Sequence, residues 1–309
     1  MLEFGLILAA PSAHDEPMTD RLDWYRALLR AGNGAYGSGW LPDHLMKHDG
    51  PMLEAWTTLT FLAAEFPSYS FGHTVLCQSY RNPALLAKMA ATLDYLTRGR
   101  FVMGIGAGWQ ADEYRAYNYP FPSAGTRIAQ LAETIDILRA LWTQSPATYE
   151  GEHYQVRDAY CVPQPSKPIP ILVGGRRPKF MRVAAEKADI WQWDGPIERY
   201  RPPYDLLEAN CAELGRDLAS VRLSTSGEVY LPTDAADFPR APSSSFMDPA
   251  QDPAGAYAGE EDWVLGPTPD DAVRGLMPLV ELGVTHFTMY FWDRASMQRF
   301  ADEVIPRLR

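Results

Sequence analysis

Cysteine is scarce in this chain: Cys77, Cys161 and Cys211 are the only three among 309 residues. They are odd in number and far apart, and no Cys-x-x-Cys pair occurs. That argues against a disulfide framework and a thiolate zinc site, and it fits a reducing cytoplasm. Histidines 14, 44, 48, 73, 153 and 286 show no ligand spacing, and His44/His48 lacks the glutamate of a zinc-binding HExxH helix, so no metal is expected. No GxSxG elbow is present, so a serine hydrolase is unsupported. Positive charge is also short. With 28 Lys and Arg against 39 Asp and Glu, the net charge is −11. No basic stripe offsets it, so neither nucleic acid nor an anionic membrane is an expected partner. No apolar run approaches the roughly 20 residues of a membrane span. The apolar start, Met1 to Leu8, is short, carries Glu3 and lacks the Lys/Arg of a signal peptide, so a cytoplasmic protein is expected.

Aromatic residues are plentiful, at 12% with nine Trp, which favours large apolar pockets as well as core. Short apolar runs alternate with amphipathic ones almost to the end. Strands are expected at Phe4–Leu8, Ala35–Leu41, Tyr69–Leu76, Phe101–Ile105, Ile169–Val173, Asp189–Trp193, Val221–Leu231 and Thr285–Phe291. Helices are expected at Thr19–Ala31, Leu53–Glu65, from Asn82-Pro83 onward, Ala124–Trp142, Pro178–Lys187, Pro203–Gly215, from Thr268 to Leu282, and Ser296–Leu308. Asn82 followed by Pro83 is an N-cap with proline in the first turn, and Thr268-Pro-Asp-Asp271 begins a capping box. Eight strand–helix units in one domain of about 300 residues predict a (β/α)8 TIM barrel with two insertions. One, 144–168, holds a hairpin near Tyr149–Tyr154 and a Pro-rich connector. The other, 232–262, is long and aperiodic, a candidate lid.

In such a barrel the functional face lies at the C-terminal ends of the strands. The fourth strand ends in Gly104-Ile-Gly-Ala-Gly-Trp109. Its glycines permit close approach of backbone or a flat ligand, but the spacing is not the dinucleotide GxGxxG. A glycine-softened strand end is the bland alternative. The fifth strand ends in Gly174-Gly-Arg-Arg177 at a helix N-terminus, where bare N–H groups, the helix dipole and two arginines suit an anion. An ordinary turn with surface arginines would read the same. The second ends in Asp43-His44, a carboxylate beside a group able to move protons near neutral pH. That histidine could equally be structural. Arg81 could guard a ligand or face solvent, and Asn82 could be an N-cap only. Glu113 and Tyr114 could begin a short helix.

The ordered series Trp40-Leu-Pro-Asp-His44, Gly72-His-Thr-Val75, Tyr80-Arg-Asn-Pro83 running on to Asp94, Gly104 to Trp109 with Glu113-Tyr114, and Pro170-Ile-Leu-Val-Gly-Gly175 resembles the bacterial-luciferase-like flavin oxidoreductase superfamily. The resemblance is to the branch that mostly uses the deazaflavin coenzyme F420. It covers about Leu2–Trp193, and the rest weakly. It implies a barrel, usually a homodimer, with the coenzyme ring in the mouth. A non-prolyl cis peptide behind the ring would fall at Thr74–Val75. Gly104, Gly106 and Gly108 would form a thin wall, and Gly174, Gly175, Arg176 and Arg177 would hold the coenzyme phosphate. Cys77, Asn82, Ala107, Trp109 and Val173 would complete the coenzyme contacts. Asp43 would bond the ring edge or orient His44, which would move the proton as hydride passes between the ring and a small organic substrate. Trp109, Glu113, Tyr114 and Trp193 would line the substrate pocket.

Two departures bear on substrate. Sugar-phosphate dehydrogenases of this branch carry a Glu where this chain has Trp109. They also carry a Trp shortly after the Asp-His pair, where this chain has residues 46–51. A flatter, more apolar substrate is therefore expected. The rival readings are an FMN-dependent monooxygenase using reduced flavin and O2, and a barrel that binds flavin without turnover.

Overall fold

Parallel strands covered on both faces must be apolar on both, and the strands here are buried along nearly their whole length. The computed structural model describes residues 1–9, 20–46, 51–240 and 263–309. Eight strands form the barrel: β1 (Glu3–Ile7), β2 (Ser38–Leu41), β3 (Ser70–His73), β4 (Phe101–Gly106), β5 (Ile171–Gly174), β6 (Ile190–Asp194), β7 (Arg222–Val229) and β8 (His286–Phe291). Each pairs in parallel with the next, and β8 returns to β1, so the sheet closes. The helices that follow are α1 (Arg21–Gly32), α2 (Ala55–Glu65), α3 (Pro83–Thr97), α4 (Ala124–Thr143), α5 (Pro178–Lys187), α6 (Ile197–Leu214), α7 (Pro269–Leu282) and a C-terminal run from Arg294 to Leu308. The expected (β/α)8 architecture is the observed one.

Local chemistry explains several boundaries. The Asn82 side chain accepts the N–H groups of Ala84 and Leu85, and Thr268 and Asp271 close a capping box around the start of α7. Gly215 ends α6 at φ 66°, a left-handed turn that suits a residue without Cβ. Where the structure differs, proline is often involved. α6 begins six residues before the expected Pro203 and carries Pro202 and Pro203 inside it. The C-terminal helix widens into a π-turn over Phe300–Val304, just ahead of Pro306, which has no N–H to continue the ladder. The third expected strand is two pieces, β3 and Leu76–Cys77, and the peptide between Thr74 and Val75 is cis. The hairpin forms from Ala147–Glu150 and Gln155–Ala159. Of the candidate lid, residues 241–262 lie outside the described residues. Ala235–Arg240 forms a short 3-10 turn, and Val264–Leu265 adds beside β7.

The barrel interior is layered by the two-residue period of its strands. Trp40 fills the middle with Leu172 and Ile190, and Ile7, Val75 and Val102 pack around them. Its indole N–H donates to Ser38 Oγ at 2.8 Å. Its ring meets the edge of His286 at 5.1 Å, and His286 Nδ1 bonds Ser224 Oγ at 2.8 Å. Gly5 and Gly72 make the room: a Cβ on either would lie 2.7 or 2.4 Å from Trp40. Two residues further along the strands, the same inward rows supply Pro42, Thr74, Gly174, Gln192 and Ser226, all lining a cavity at the mouth. The second, larger core lies between strands and helices and includes Phe4, Phe71, Phe101, Leu138 and Phe287.

Gly104 sits against backbone: a Cβ there would fall 1.7 Å from the His73 carbonyl oxygen. Gly72→Ala is expected to cost about 1–3 kcal/mol, the usual range for an overpacked interior. Gly104→Ala is expected to cost more, because a carbonyl in a strand cannot swing aside as a ring can. Thermal unfolding of the two variants checks the order, and equal melting points would contradict it.

Candidate active site

A cavity of about 590 Å³ opens at the C-terminal ends of the strands. Pro42, Asp43 and His44 reach it from β2, and Thr74, Val75 and Cys77 from the segment after β3. Gly106, Ala107, Gly108 and Trp109 come from β4, Gly174 to Arg177 from β5, and Gln192, Trp193 and Asp194 from β6. One wall is thin by necessity. A Cβ on Gly106 would lie 2.7 Å from Val75 Cγ2, and Gly108 has φ 76° with Cys77 Sγ 2.5 Å from where its Cβ would be. A larger residue at either place would fill the space beside Val75 or displace the Cys77–Tyr114 pair.

Two buried carboxylates hold the mouth together. Asp43, with a fully buried side chain, takes both guanidinium nitrogens of Arg81 at 2.8 and 3.0 Å and the Cys77 N–H at 2.9 Å. Arg81 also bonds Glu54, whose side chain caps α2. Burial works against the Arg81 charge, but Asp43 and Glu54 outweigh it and hold its pKa above the ordinary value. The second carboxylate is Glu113, 1% exposed, on the short helix Ala111–Ala116. Its Oε1 lies 3.2 Å from His44 Nδ1 and accepts the N–H groups of Leu45 at 3.0 Å and Met46 at 3.3 Å. Its Oε2 accepts the Tyr80 hydroxyl at 2.9 Å. The Trp109 ring stands edge-on to His44 at 6.1 Å.

Across the mouth, Thr74 Oγ1 donates to Gln192 Oε1 at 2.8 Å, and Gln192 Nε2 donates to Thr288 Oγ1 at 2.7 Å. At the β5 end, Arg176 stacks over the Trp193 ring at 5.2 Å. Arg177 is the N-cap of α5, and Pro178 follows it in the first turn.

Most expected site residues converge on this cavity: Asp43, His44, Thr74, Val75, Cys77, Gly106, Ala107, Gly108, Trp109, Glu113, Gly174, Gly175, Arg176 and Trp193 all line it. Three expected residues lie outside the lining. Asn82 is outside the lining and is engaged in capping α3. Val173 is fully buried in the outer core, because it faces away from the barrel axis. Tyr114 lies wholly under the wall, its hydroxyl bonded to Cys77 Sγ at 2.9 Å. The carboxylate against His44 Nδ1 is Glu113, while Asp43 bonds Arg81 and the Cys77 amide. Gln192 and Arg127 were not anticipated. Gln192 has a visible signal, a lone polar residue in the run Ile190-Trp-Gln-Trp193. Arg127, which donates from Nε to the Gly108 carbonyl at 3.1 Å and lies 4.0 Å over the Phe121 ring, has none.

Residues 4–285 match the luciferase-like monooxygenase family, and the chain belongs to it. An F420-dependent glucose-6-phosphate dehydrogenase of Beutenbergia cavernae is 29% identical over 308 residues, covering 90% of this chain and 91% of the relative. One from Amycolatopsis mediterranei is 24% identical over 311 residues, covering 91% and 92%. Among solved structures, an F420-dependent secondary alcohol dehydrogenase in complex with an F420-acetone adduct superposes with TM-score 0.81 at 19% identity, covering 100% of this chain and 99% of that one. The coenzyme F420 dependent tetrahydromethanopterin reductase of Methanopyrus kandleri gives 0.80 at 18%, with the same coverage. At these identities the two structures show the fold.

Below the cavity, His73 is fully buried and stacked on Trp56 at 5.3 Å. Burial lowers its pKa to about 4, and burial lowers that of His286 to about 3. The unfolded imidazoles titrate near 6.5. Stability from both is therefore complete above pH about 6.5 and drains as pH falls through 4 and then 3, because only the unfolded chain takes up the protons. For His73 the loss is on the order of 3 kcal/mol. Denaturant unfolding between pH 7 and 4 should show the decline, and His73→Phe should lessen it, leaving the part due to His286. A variant as acid-sensitive as the parent would refute the assignment.

Proposed function

We propose that this luciferase-family barrel is an oxidoreductase that passes a hydride between deazaflavin F420 and a small, flat organic substrate. The observation that carries this is the mouth cavity, which joins a glycine-thinned wall, a helix start with two arginines, and a buried carboxylate–histidine pair. The named F420-dependent relatives, alike over about nine-tenths of the chain, support the coenzyme. Gly174 to Arg177 and the first turn of α5 would hold its phosphate. Val75, pressed between Gly106 and Gly174, would back the ring. When bound, the coenzyme supplies the carbon that gives or takes the hydride. His44, steadied by Glu113, gives or takes the matching proton on substrate oxygen. Trp109 and Trp193 supply flat apolar surface, and Trp109 stands beside His44 where the sugar-phosphate enzymes were expected to carry an acid. We therefore place glucose 6-phosphate outside the substrate range.

The chain acts as a homodimer on this reading. Leu85, Tyr95 and Leu96 on α3 and Phe61 on α2 are exposed by half or more, and Leu85, Lys88, Thr92, Tyr95 and Leu96 fall on one face of α3 by helical spacing. A cytoplasmic location is in keeping with three free, buried thiols.

Fluorescence titration with F420 and FMN tests the coenzyme: F420 binding is expected, and tight FMN binding without F420 binding would replace this reading by a monooxygenase. Secondary alcohols, ketones and enones should turn over in preference to glucose 6-phosphate. His44→Ala is expected to lower kcat by about 10²- to 10⁴-fold with coenzyme affinity retained; unchanged turnover would remove His44 from the mechanism. Light scattering should give a dimer, shifted toward monomer by Leu85→Glu combined with Leu96→Glu.

A further inference from the structure

Glu113 lines the cavity, yet its carboxylate is spent on the protein. Oε1 receives two backbone N–H groups, from Leu45 and Met46. Backbone amides are obligate donors, so Oε1 is an acceptor whatever the charge on the carboxyl. The third atom against it, His44 Nδ1 at 3.2 Å, must then carry a hydrogen. A lone pair there would face an oxygen lone pair with no proton between them. The charge state of Glu113 does not alter this, since a proton on the carboxyl would sit on Oε2, where Tyr80 bonds.

We infer that Glu113 is a positioning residue that locks neutral His44 as its Nδ1–H tautomer, leaving Nε2 as the nitrogen that exchanges protons with substrate. This rests on the reading of His44 as the proton-transfer group. Three loops cooperate in it: Glu113 comes from the segment after β4, His44 from the segment after β2, and Tyr80 from the segment after β3. Tyr80 fixes Oε2 and the two amides fix Oε1, so neither oxygen can rotate away from the imidazole. Trp109 then meets the ring edge-on, which limits its tilt. In this chain the residue directly after the glycine run is therefore a wall, and the acid four positions later acts through the histidine.

The test is nitrogen NMR of ¹⁵N-histidine-labelled protein, with His44 assigned by its absence from His44→Ala. Wild type with a neutral His44 ring should show the proton on Nδ1 and none on Nε2. The opposite tautomer in wild type would overturn the inference with no variant needed. Glu113→Gln keeps an acceptor oxygen for the amides, so it should retain the tautomer and most of kcat. Glu113→Ala should mix the tautomers and lower kcat about 10- to 100-fold, the usual effect of removing an orienting partner, with coenzyme affinity unchanged. Loss of kcat in Glu113→Ala with the tautomer intact would also overturn it. The two readings fail separately: a locked Nδ1–H tautomer together with full activity in His44→Ala defeats the proton-transfer role alone.

Discussion

The buried pair between Asp43 and Arg81 sets the shape of the mouth. A carboxylate with no exposure is stable only if its charge and lone pairs are met by the protein. Here one guanidinium and one backbone amide meet them, and each comes from a different part of the chain. Asp43 leaves β2, Cys77 follows β3, and Arg81 sits just ahead of α3 while reaching Glu54 at the start of α2. Breaking such a pair leaves an uncompensated buried charge, typically several kcal/mol. The segments that present His44, Val75 and Tyr80 are thus not independent loops. They are one piece, held at its centre by a buried salt bridge.

Glu113 repeats the device one strand further round, binding the β2 and β3 segments to the segment after β4. Together the two acids explain how a short stretch of irregular backbone can hold a histidine steadily against an open cavity. Opposite them the mouth is built differently, from the hydroxyl and amide chain of Thr74, Gln192 and Thr288 and from the arginines at the start of α5. One side is charge-compensated, and the other carries neutral hydrogen-bonding groups and positive charge. That asymmetry gives the cavity two chemically distinct ends.

Much of the fold was legible because its determinants are local. Apolar runs of strand length, the Asn82-Pro83 cap, the Thr268 capping box and Gly215 each depend on neighbours within a few residues. The eight-unit count followed from them. The site was legible only in outline. Which residues gather at the strand ends follows from topology, but which side chains turn inward does not. Val173 and Gly174 differ by one position and face opposite sides of the sheet. Tyr114 differs from Glu113 by one position and lies beneath the wall. The bonds of Glu113 span 33 to 69 residues of sequence, and no local pattern carries them. Prolines misled at α6, where two of them sit within the helix instead of starting it.

Trp40 and the glycines that admit it leave the barrel solid beneath its cavity. A floor filled by an indole leaves a ligand no depth to sink into. The cavity is therefore a shallow basin, and whatever occupies it stays close to the segments above the strand ends.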